Sequence, residues 1–130
     1  MAEPIISDLT LTALERALDG TALQQRITAG NIANLETPGY MARRVSFQDS
    51  LRAALAAQRE GRPHAAELLD AAGAAVGRDM SAPTGPDGNN VDIEREMTDL
   101  SEAGLRYEAL VRLIRRKFQM LGTVIGDGRQ

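Results

Sequence analysis

VDIEREMTDLSEAGLRYEALVRLIRRKFQMLGTVI, residues 91–125, is the stretch that decides the fold of this 130-residue chain. Its apolar residues alternate steps of four and three positions, which is the 3.5-residue period of a coiled-coil helix. A helix of this length is about 50 Å long, since each residue adds 1.5 Å. The apolar positions, called the predicted seam below, are Ile93, Met97, Leu100, Gly104, Tyr107, Val111, Ile114, Phe118, Leu121 and Ile125.

Polar residues at both ends of this stretch agree with a helix. Asn90 or Asp92 can cap its N-terminus, and acidic residues follow in the first turn, where the helix dipole is positive. The basic cluster toward the other end consists of Arg112, Arg115, Arg116 and Lys117. We favour dipole complementation and pairing with acidic faces of neighbouring helices over phosphate contact, because no aromatic or recognition-helix pattern accompanies the cluster.

Residues 7–34 predict a second long helix, because apolar side chains recur at steps of three and four and no proline interrupts them. The helix begins at Ser7 or at Thr12, and the sequence does not decide between the two caps. It must end by Thr37, since Pro38 forces the residue before it out of the helical region. The packing positions predicted on this helix are Leu11, Leu14, Leu18 and Ile32.

The two terminal helices are the long elements, so we predict an all-α fold in which they form an antiparallel, coiled-coil-like hairpin. Residues 40–45 favour a short extended segment, and Ser46 can cap an Ala-rich helix at residues 47–58. Glycine and proline in the following segment predict a flexible or partner-ordered linker, with a weak helix at residues 65–75. The predicted division of this single structural unit is an N-terminal helix (1–37), a turn and short helix (38–60), a flexible linker (61–90) and a C-terminal coiled-coil helix (91–130).

The apolar stripes of the two helices exceed what one mutual interface can bury. Leu110 and Val124 widen the C-terminal stripe, and Leu9, Leu23 and Ile27 place apolar surface on a second face of the first helix. The chain has two tyrosines, two phenylalanines and no tryptophan, so a self-sufficient core is doubtful. The surplus predicts lateral neighbours supplied by other subunits.

Composition narrows the classes of function. The formal net charge of −3 provides no basic field for nucleic acid or an anionic membrane, and the absence of cysteine excludes disulfides and thiol chemistry. His64 has no second histidine to share a metal with, and the acidic residues 87–94 miss the spacing of a calcium loop. We therefore expect no enzyme active site, no metal or other cofactor, and no nucleic-acid or small-molecule partner.

NIANLETPGY, residues 31–40, resembles the N-terminal signature of the flagellar axial rod and hook protein family. PDGNNVDIEREM, residues 86–97, followed by Tyr107 and by RKFQML, residues 116–121, resembles the C-terminal half of its proximal rod members. We expect the asparagines of the signature to bind backbone groups freed at the helix end, and its Pro-Gly pair to form a turn that projects the tyrosine. The turn-motif residues are Asn31, Asn34, Thr37, Pro38, Gly39 and Tyr40.

This resemblance covers residues 9–55 and 86–126, and it implies a non-enzymatic structural subunit of the bacterial flagellar proximal rod. The implied subunit polymerises through its terminal helices into an open helical tube that transmits motor torque. The implied partners are copies of itself, other rod proteins, the rod–ring junction protein FliE near the membrane ring, and, in transit, the flagellar type III export apparatus.

The implied location is the periplasmic rod of the basal body, reached without a cleaved signal peptide. Residues 1–10 lack the pattern of a Sec signal, and no apolar run is long enough to span a membrane. The alternative that stays open is a soluble helical adaptor or chaperone-like binding module that presents its C-terminal helix to one partner.

Overall fold

A computed structural model of the chain describes the backbone of residues 3–127 and the side chains of residues 9–122. Four helices dominate it, which confirms the predicted all-α class, but it also contains a two-stranded sheet that we did not predict. The elements are α1 Glu3–Ala33, β1 Arg43–Ser46, α2 Gln48–Arg59, α3 Ala65–Ala71, β2 Ala75–Arg78 and α4 Ile93–Asp127. None of these helices is long and apolar enough to cross a membrane.

Helices α1 and α4 pack against each other as the predicted antiparallel hairpin. The end of α1 meets the start of α4, where Asn31 Nδ2 lies 3.0 Å from Glu96 Oε2. Further along, Gln25 of α1 lies beside Gly104, whose hypothetical Cβ would be 3.6 Å from Gln25 Nε2. The two helices therefore run in opposite directions.

Both candidate caps of α1 were wrong, because Ser7 and Thr12 lie inside the helix. The helix already includes Pro4, which the first turn tolerates because backbone N–H groups there have no helical acceptor. The N-terminus of α4 is capped by Asp92 rather than by Asn90. Asp92 Oδ1 accepts hydrogen bonds from the N–H groups of Glu94 (3.1 Å) and Arg95 (3.4 Å).

The middle of the chain folds back onto α1 and builds a small core. Ala13, Phe47, Leu51 and Leu69 lie at its centre, with the half-buried Leu9 packed against it. This cluster covers part of the second apolar face of α1 that we had assigned to other subunits. The surplus of apolar surface on α1 is therefore smaller than predicted, because the chain's own α2 and α3 bury some of it.

Phe47 fixes the position of α2 relative to α1. Its ring lies against Gly20, where a Cβ would be 2.6 Å from the ring atoms, so this approach requires the absence of a side chain. Phe47 also occupies the N-cap position of α2, without a side-chain cap. The prediction that Ser46 caps this helix was wrong, because Ser46 lies in β1, and Ser50 Oγ instead donates to the Phe47 carbonyl at 2.9 Å.

Residues 61–90, for which we predicted a flexible linker, contain α3 and β2. Strand β2 pairs with β1 in antiparallel register, with Arg43 opposite Arg78 and Ser46 opposite Ala75. Helix α3 contributes the fully buried Leu69 to the core. The segment therefore has defined contacts with the rest of the chain, and the flexibility of its loops stays a prediction.

Candidate functional site

The Thr-Pro-Gly-Tyr motif forms a β-turn of type II. Tyr40 N–H donates to the Thr37 carbonyl at 3.2 Å, which places Pro38 and Gly39 at the two central positions. Gly39 has a φ of 72°, a value that residues with a side chain rarely adopt. Just before the turn, Asn34 Nδ2 donates to the Gly30 carbonyl at 2.8 Å, as expected of an amide at a helix end.

Asn89 holds the turn from the other half of the chain. Its Nδ2 atom lies within hydrogen-bonding distance of three backbone carbonyls, those of Asn34 (2.9 Å), Leu35 (3.1 Å) and Thr37 (2.9 Å). Gly39 N–H in turn donates to the Asp87 carbonyl at 2.8 Å. The two sequence motifs, separated by some fifty positions, are therefore halves of one structure.

Asn31 and Tyr40 have different partners from those we predicted. Asn31 is fully buried and binds β1 rather than the end of its own helix: its Oδ1 accepts from Arg43 N–H and its Nδ2 donates to the Arg43 carbonyl, both at 2.9 Å. Tyr40 does not project outward, since it is half-buried and its hydroxyl donates to Asn31 Oδ1 at 3.2 Å. The side chain of Asn31 faces α4 and β1, so the carbonyls at the end of α1 are beyond its reach.

A buried group of charges, which we call the polar junction, lies where α1, α4 and the sheet meet. It consists of Arg44, Asp79 and Glu96, together with Asn31. Arg44 donates through Nη1 to Glu96 and through Nε to Asp79 Oδ2 at 3.2 Å. Glu96 has no exposed surface and also accepts from Asn31 Nδ2. The junction thus links four segments of the chain by charge-assisted hydrogen bonds.

Asp79 is held in its charged form. Hydrogen bonds from Ser81, first from the hydroxyl and then from the backbone N–H, lower the pKa of Asp79 from 3.8 to about 2, although burial opposes them. Arg44 and the N–H of Ala82 contribute as well. For Arg44, burial lowers the pKa, but its bonds to Glu96 and Asp79 outweigh that effect and raise it. The two partners therefore remain an ion pair at neutral pH.

Asn90 joins the sheet to the start of α4. Its Oδ1 accepts from Ala42 N–H at 2.6 Å, and its Nδ2 donates to the Asp79 carbonyl at 2.7 Å. This amide therefore continues the β1–β2 ladder beyond Arg43 and Arg78. The role explains why Asn90 does not cap α4.

The predicted seam coincides in part with the stripe of α4 that is buried within the chain. Glu96 and Ala103 have no exposed surface. Leu100, Gly104, Tyr107, Val111, Ile114 and Leu121 are half-buried, as are all four predicted positions on α1, Leu11, Leu14, Leu18 and Ile32. Ile93, Met97 and Phe118 are exposed, by 38 %, 51 % and 54 %. The side chain of Ile125 lies outside the described residues.

The buried stripe keeps the seam row through Leu100, Tyr107, Ile114 and Leu121, and it adds Glu96 and Ala103, which were not predicted. Among the described residues, nothing covers Ile93, Met97 and Phe118 to the same extent. A second group, Leu105, Leu113 and Met120, is exposed on a further side of α4. We call the first group, Ile93, Met97 and Phe118, the exposed face of α4.

Sequence reasoning missed Arg44, Asp79 and Glu96 as partners. Glu96 is one of the acidic residues that we expect in the first turn of α4, although its position three residues after Ile93 places it beside the apolar stripe. Asn89 and Asn90 can be recognised in the sequence as an adjacent asparagine pair after a glycine. Their partners cannot be recognised in the same way, because they lie far away in sequence.

No catalytic or metal-binding arrangement emerges within residues 9–122. The described side chains contain no cluster of three histidine, cysteine or carboxylate residues that could hold a metal ion. His64 is exposed and bonds Glu67, with Nδ1 3.0 Å from Oε2. Within the same part of the chain, the basic cluster of residues 112–117 forms no ion pair, so its predicted role stays a prediction.

Comparison with known proteins gives a consistent set of relatives, although no protein-family model matches. The chain is 33 % identical over 123 residues to the flagellar basal body rod protein FlgB of Bacillus subtilis (strain 168), with 92 % of this chain and 95 % of that protein covered. It is 29 % identical over 132 residues to the protein of the same name from Salmonella typhimurium, covering 93 % and 96 %. The corresponding protein of Escherichia coli (strain K12) is 26 % identical over the same shares.

Proposed function

The chain belongs to the FlgB family of flagellar basal body rod proteins, and from this premise we propose that it is a structural subunit of the proximal rod that polymerises through its terminal helices. The rod is the drive shaft of the flagellum, so the subunit's task is mechanical. No step of this function requires a cofactor or a chemical reaction, and we propose that the chain is not an enzyme.

The observation that carries the mechanism is the exposed face of α4. Met97 and Phe118 are each more than half exposed, although another side of the same helix packs against α1. Burying large apolar side chains is worth about 1.5–3 kcal/mol each, so a helix that leaves several of them in water has unused binding energy. In a rod, the neighbouring subunits would cover this face.

The polar junction supports the same proposal because it holds the two long helices in a fixed register. A shaft that transmits torque needs subunits whose two long helices do not slide past each other. Glu96, buried on α4 and bound to both Asn31 and Arg44, fixes the axial register of α4 against α1. A shift by one turn would leave these groups buried and unpaired, which costs several kcal/mol.

The finer parts of the proposal concern partners and location. We propose that the subunit contacts copies of itself, other rod proteins and the junction protein FliE in the periplasm beside the membrane ring. We further propose that it reaches this place through the flagellar type III export apparatus without a cleaved signal peptide.

The test is incorporation of the full-length chain into basal bodies. Phe118→Asp should leave the fold of the isolated chain intact, because the residue is exposed, but should prevent incorporation and swimming, because a carboxylate would be buried between subunits. Phe118→Leu is the matched control and should assemble. Secretion of each variant is measured in the same cells. Normal rods with Phe118→Asp would contradict the assignment of this face, and basal bodies that never contain the labelled wild-type chain would contradict the function itself.

A further inference from the structure

Strand β2 has an outer edge that the chain leaves uncovered. All four of its residues are exposed, and within the described residues the sheet has two strands, so β2 has one strand neighbour. Two-stranded ribbons are marginally stable in water, and unpaired strand edges are sites at which another strand can add.

The register shows which backbone groups this edge presents. Asp79 N–H donates to the Ala42 carbonyl at 2.8 Å, so residues 42 and 79 are a hydrogen-bonded pair. Hydrogen-bonded and non-hydrogen-bonded pairs alternate along an antiparallel ladder, so Gly77 and Ala75 also direct their N–H and C=O groups toward β1. The backbone groups of Val76 and Arg78 therefore point away from the sheet.

Asparagine side chains bind the backbone groups at the outer edge of β1 and at one end of the two-stranded sheet. On the outer side of β1, the carboxamide of Asn31 binds both the N–H and the C=O of Arg43, as a paired strand would. At the end of the ribbon, Asn90 bridges Ala42 and Asp79 in the same manner. The outer edge of β2 has no such cover among the described side chains.

Charge around this edge is positive and unbalanced. Arg43 and Arg78 face each other across the strands, both are exposed, and neither forms an ion pair within the described part of the chain. Like charges directly opposite each other destabilise a strand pair. The neighbouring Arg44 is neutralised by Glu96 and Asp79, so the excess is confined to the side of the ribbon that Arg43 and Arg78 share.

We propose that the outer edge of β2 is a docking site at which an extended, acidic segment of a partner protein adds a third strand. Backbone hydrogen bonds to Val76 and Arg78 provide the pairing, and acidic side chains neutralise Arg43 and Arg78. Val76, 40 % exposed on the side that carries both arginines, offers an apolar contact. This surface is separate from the helical packing proposed above, and the inference does not depend on it.

The test uses the isotopically labelled full-length chain and a synthetic peptide, acetyl-Thr-Glu-Val-Glu-Val-Glu-Thr-amide, with amide hydrogen exchange measured by NMR. In the free chain the amides of Gly77 and Asp79 should be protected and those of Val76 and Arg78 should exchange freely. Saturating peptide should slow exchange at Val76 and Arg78 by about tenfold or more, because their outward N–H groups are then hydrogen-bonded and withdrawn from water.

Two pairs of variants separate backbone pairing from charge. Val76→Pro removes an outward N–H without removing a bond to β1, and should weaken peptide binding about tenfold, whereas Val76→Thr should bind like wild type. Arg78→Glu should weaken binding to a similar extent through repulsion, and Arg78→Lys should retain it. Protection of Gly77 and Asp79 in each variant shows that the ribbon has formed.

Several results would overturn the proposal. One is equal affinity for a peptide N-methylated at every residue, because that peptide has no backbone N–H group to donate to the edge. Others are unchanged binding by Val76→Pro with a formed ribbon, equal affinity for a peptide with lysine in place of glutamate, and no binding at millimolar peptide. Free exchange of Gly77 and Asp79 in the wild-type chain would also refute it, since the docking edge would then not exist.

Discussion

The carboxamide of Asn31 and the carboxylate of Glu96 lie 3.0 Å apart at the junction of the two long helices, and both side chains are fully buried. Asn31 also pairs with the backbone of β1, and Glu96 also pairs with Arg44. One contact therefore connects the end of α1, the start of α4 and the sheet.

The two asparagines of the signature should differ strongly in their effect on stability. Asn31→Ala removes partners from Arg43 N–H, the Arg43 carbonyl, Glu96 and Tyr40, and should lower the free energy of unfolding by about 2–5 kcal/mol. Asn34→Ala loses local bonds at a half-buried site and should cost about 1 kcal/mol. Urea denaturation of both variants measures the difference, and equal losses would contradict the role assigned to Asn31.

Two glycines of α1 should respond in opposite directions to the same substitution. Gly20→Ala places a Cβ 2.6 Å from the ring of Phe47 and should destabilise the chain by about 1–3 kcal/mol. Gly30→Ala meets nothing within 4 Å and should stabilise the helix by up to about 1 kcal/mol. Thermal unfolding of the two variants tests this contrast. A Gly20→Ala variant as stable as wild type would show that Phe47 does not pack where the structure places it.

Local patterns predicted the parts of the fold that depend on neighbouring residues. The long helix α4 and the turn at Pro38–Gly39 depend on contiguous sequence, and the structure has a helix at Ile93–Asp127 and a positive φ at Gly39. The sheet was missed because β1 and β2 are four residues long, and β2 contains a glycine and no large apolar residue other than Val76. Such strands are defined by their partner rather than by their own pattern.

The burial of Glu96 could not be predicted for a related reason. Hydrophobicity alone favoured Met97 and Phe118 as buried positions over the charged Glu96. The burial is decided by Arg44 and Asn31, which supply partners for Glu96, and these partners are distant in sequence. The residues around a carboxylate in sequence do not show whether that carboxylate will be buried and paired.

At Gly39, in the turn that follows α1, asparagine should be tolerated far better than valine. Gly39 has a φ of 72°, where a β-branched residue is strained by about 1–3 kcal/mol, while asparagine enters this region more readily. Gly39→Val should therefore reduce stability and rod assembly, and Gly39→Asn should be milder. Tyr40→Phe, which loses the hydroxyl bond to Asn31, should cost about 1 kcal/mol. Swimming and unfolding are measured together, and a fully functional Gly39→Val would show that the turn is not a structural requirement.

Asp79 should make the stability of the chain depend on pH in a defined window. Its pKa is about 2 in the folded chain and 3.8 ordinarily, so its stabilising effect is fully present above pH 3.8 and is lost as the pH falls toward 2. The difference corresponds to about 2 kcal/mol at neutral pH.

The effect of Asp79 alone is isolated by comparing the stability of wild type with that of Asp79→Asn at each pH. The variant should be less stable by about 2 kcal/mol at pH 6, and this deficit should shrink as the pH approaches 2, because the wild-type carboxylate is then protonated as well. Asp70→Asn is the control: Asp70 is 77 % exposed in its pair with Arg16, and its loss should change little at any pH. Urea denaturation at pH 6, 4 and 2 gives the three free energies. A deficit that stays constant across the window would mean that the Asp79 carboxylate is not held in its charged form by Ser81 and Arg44.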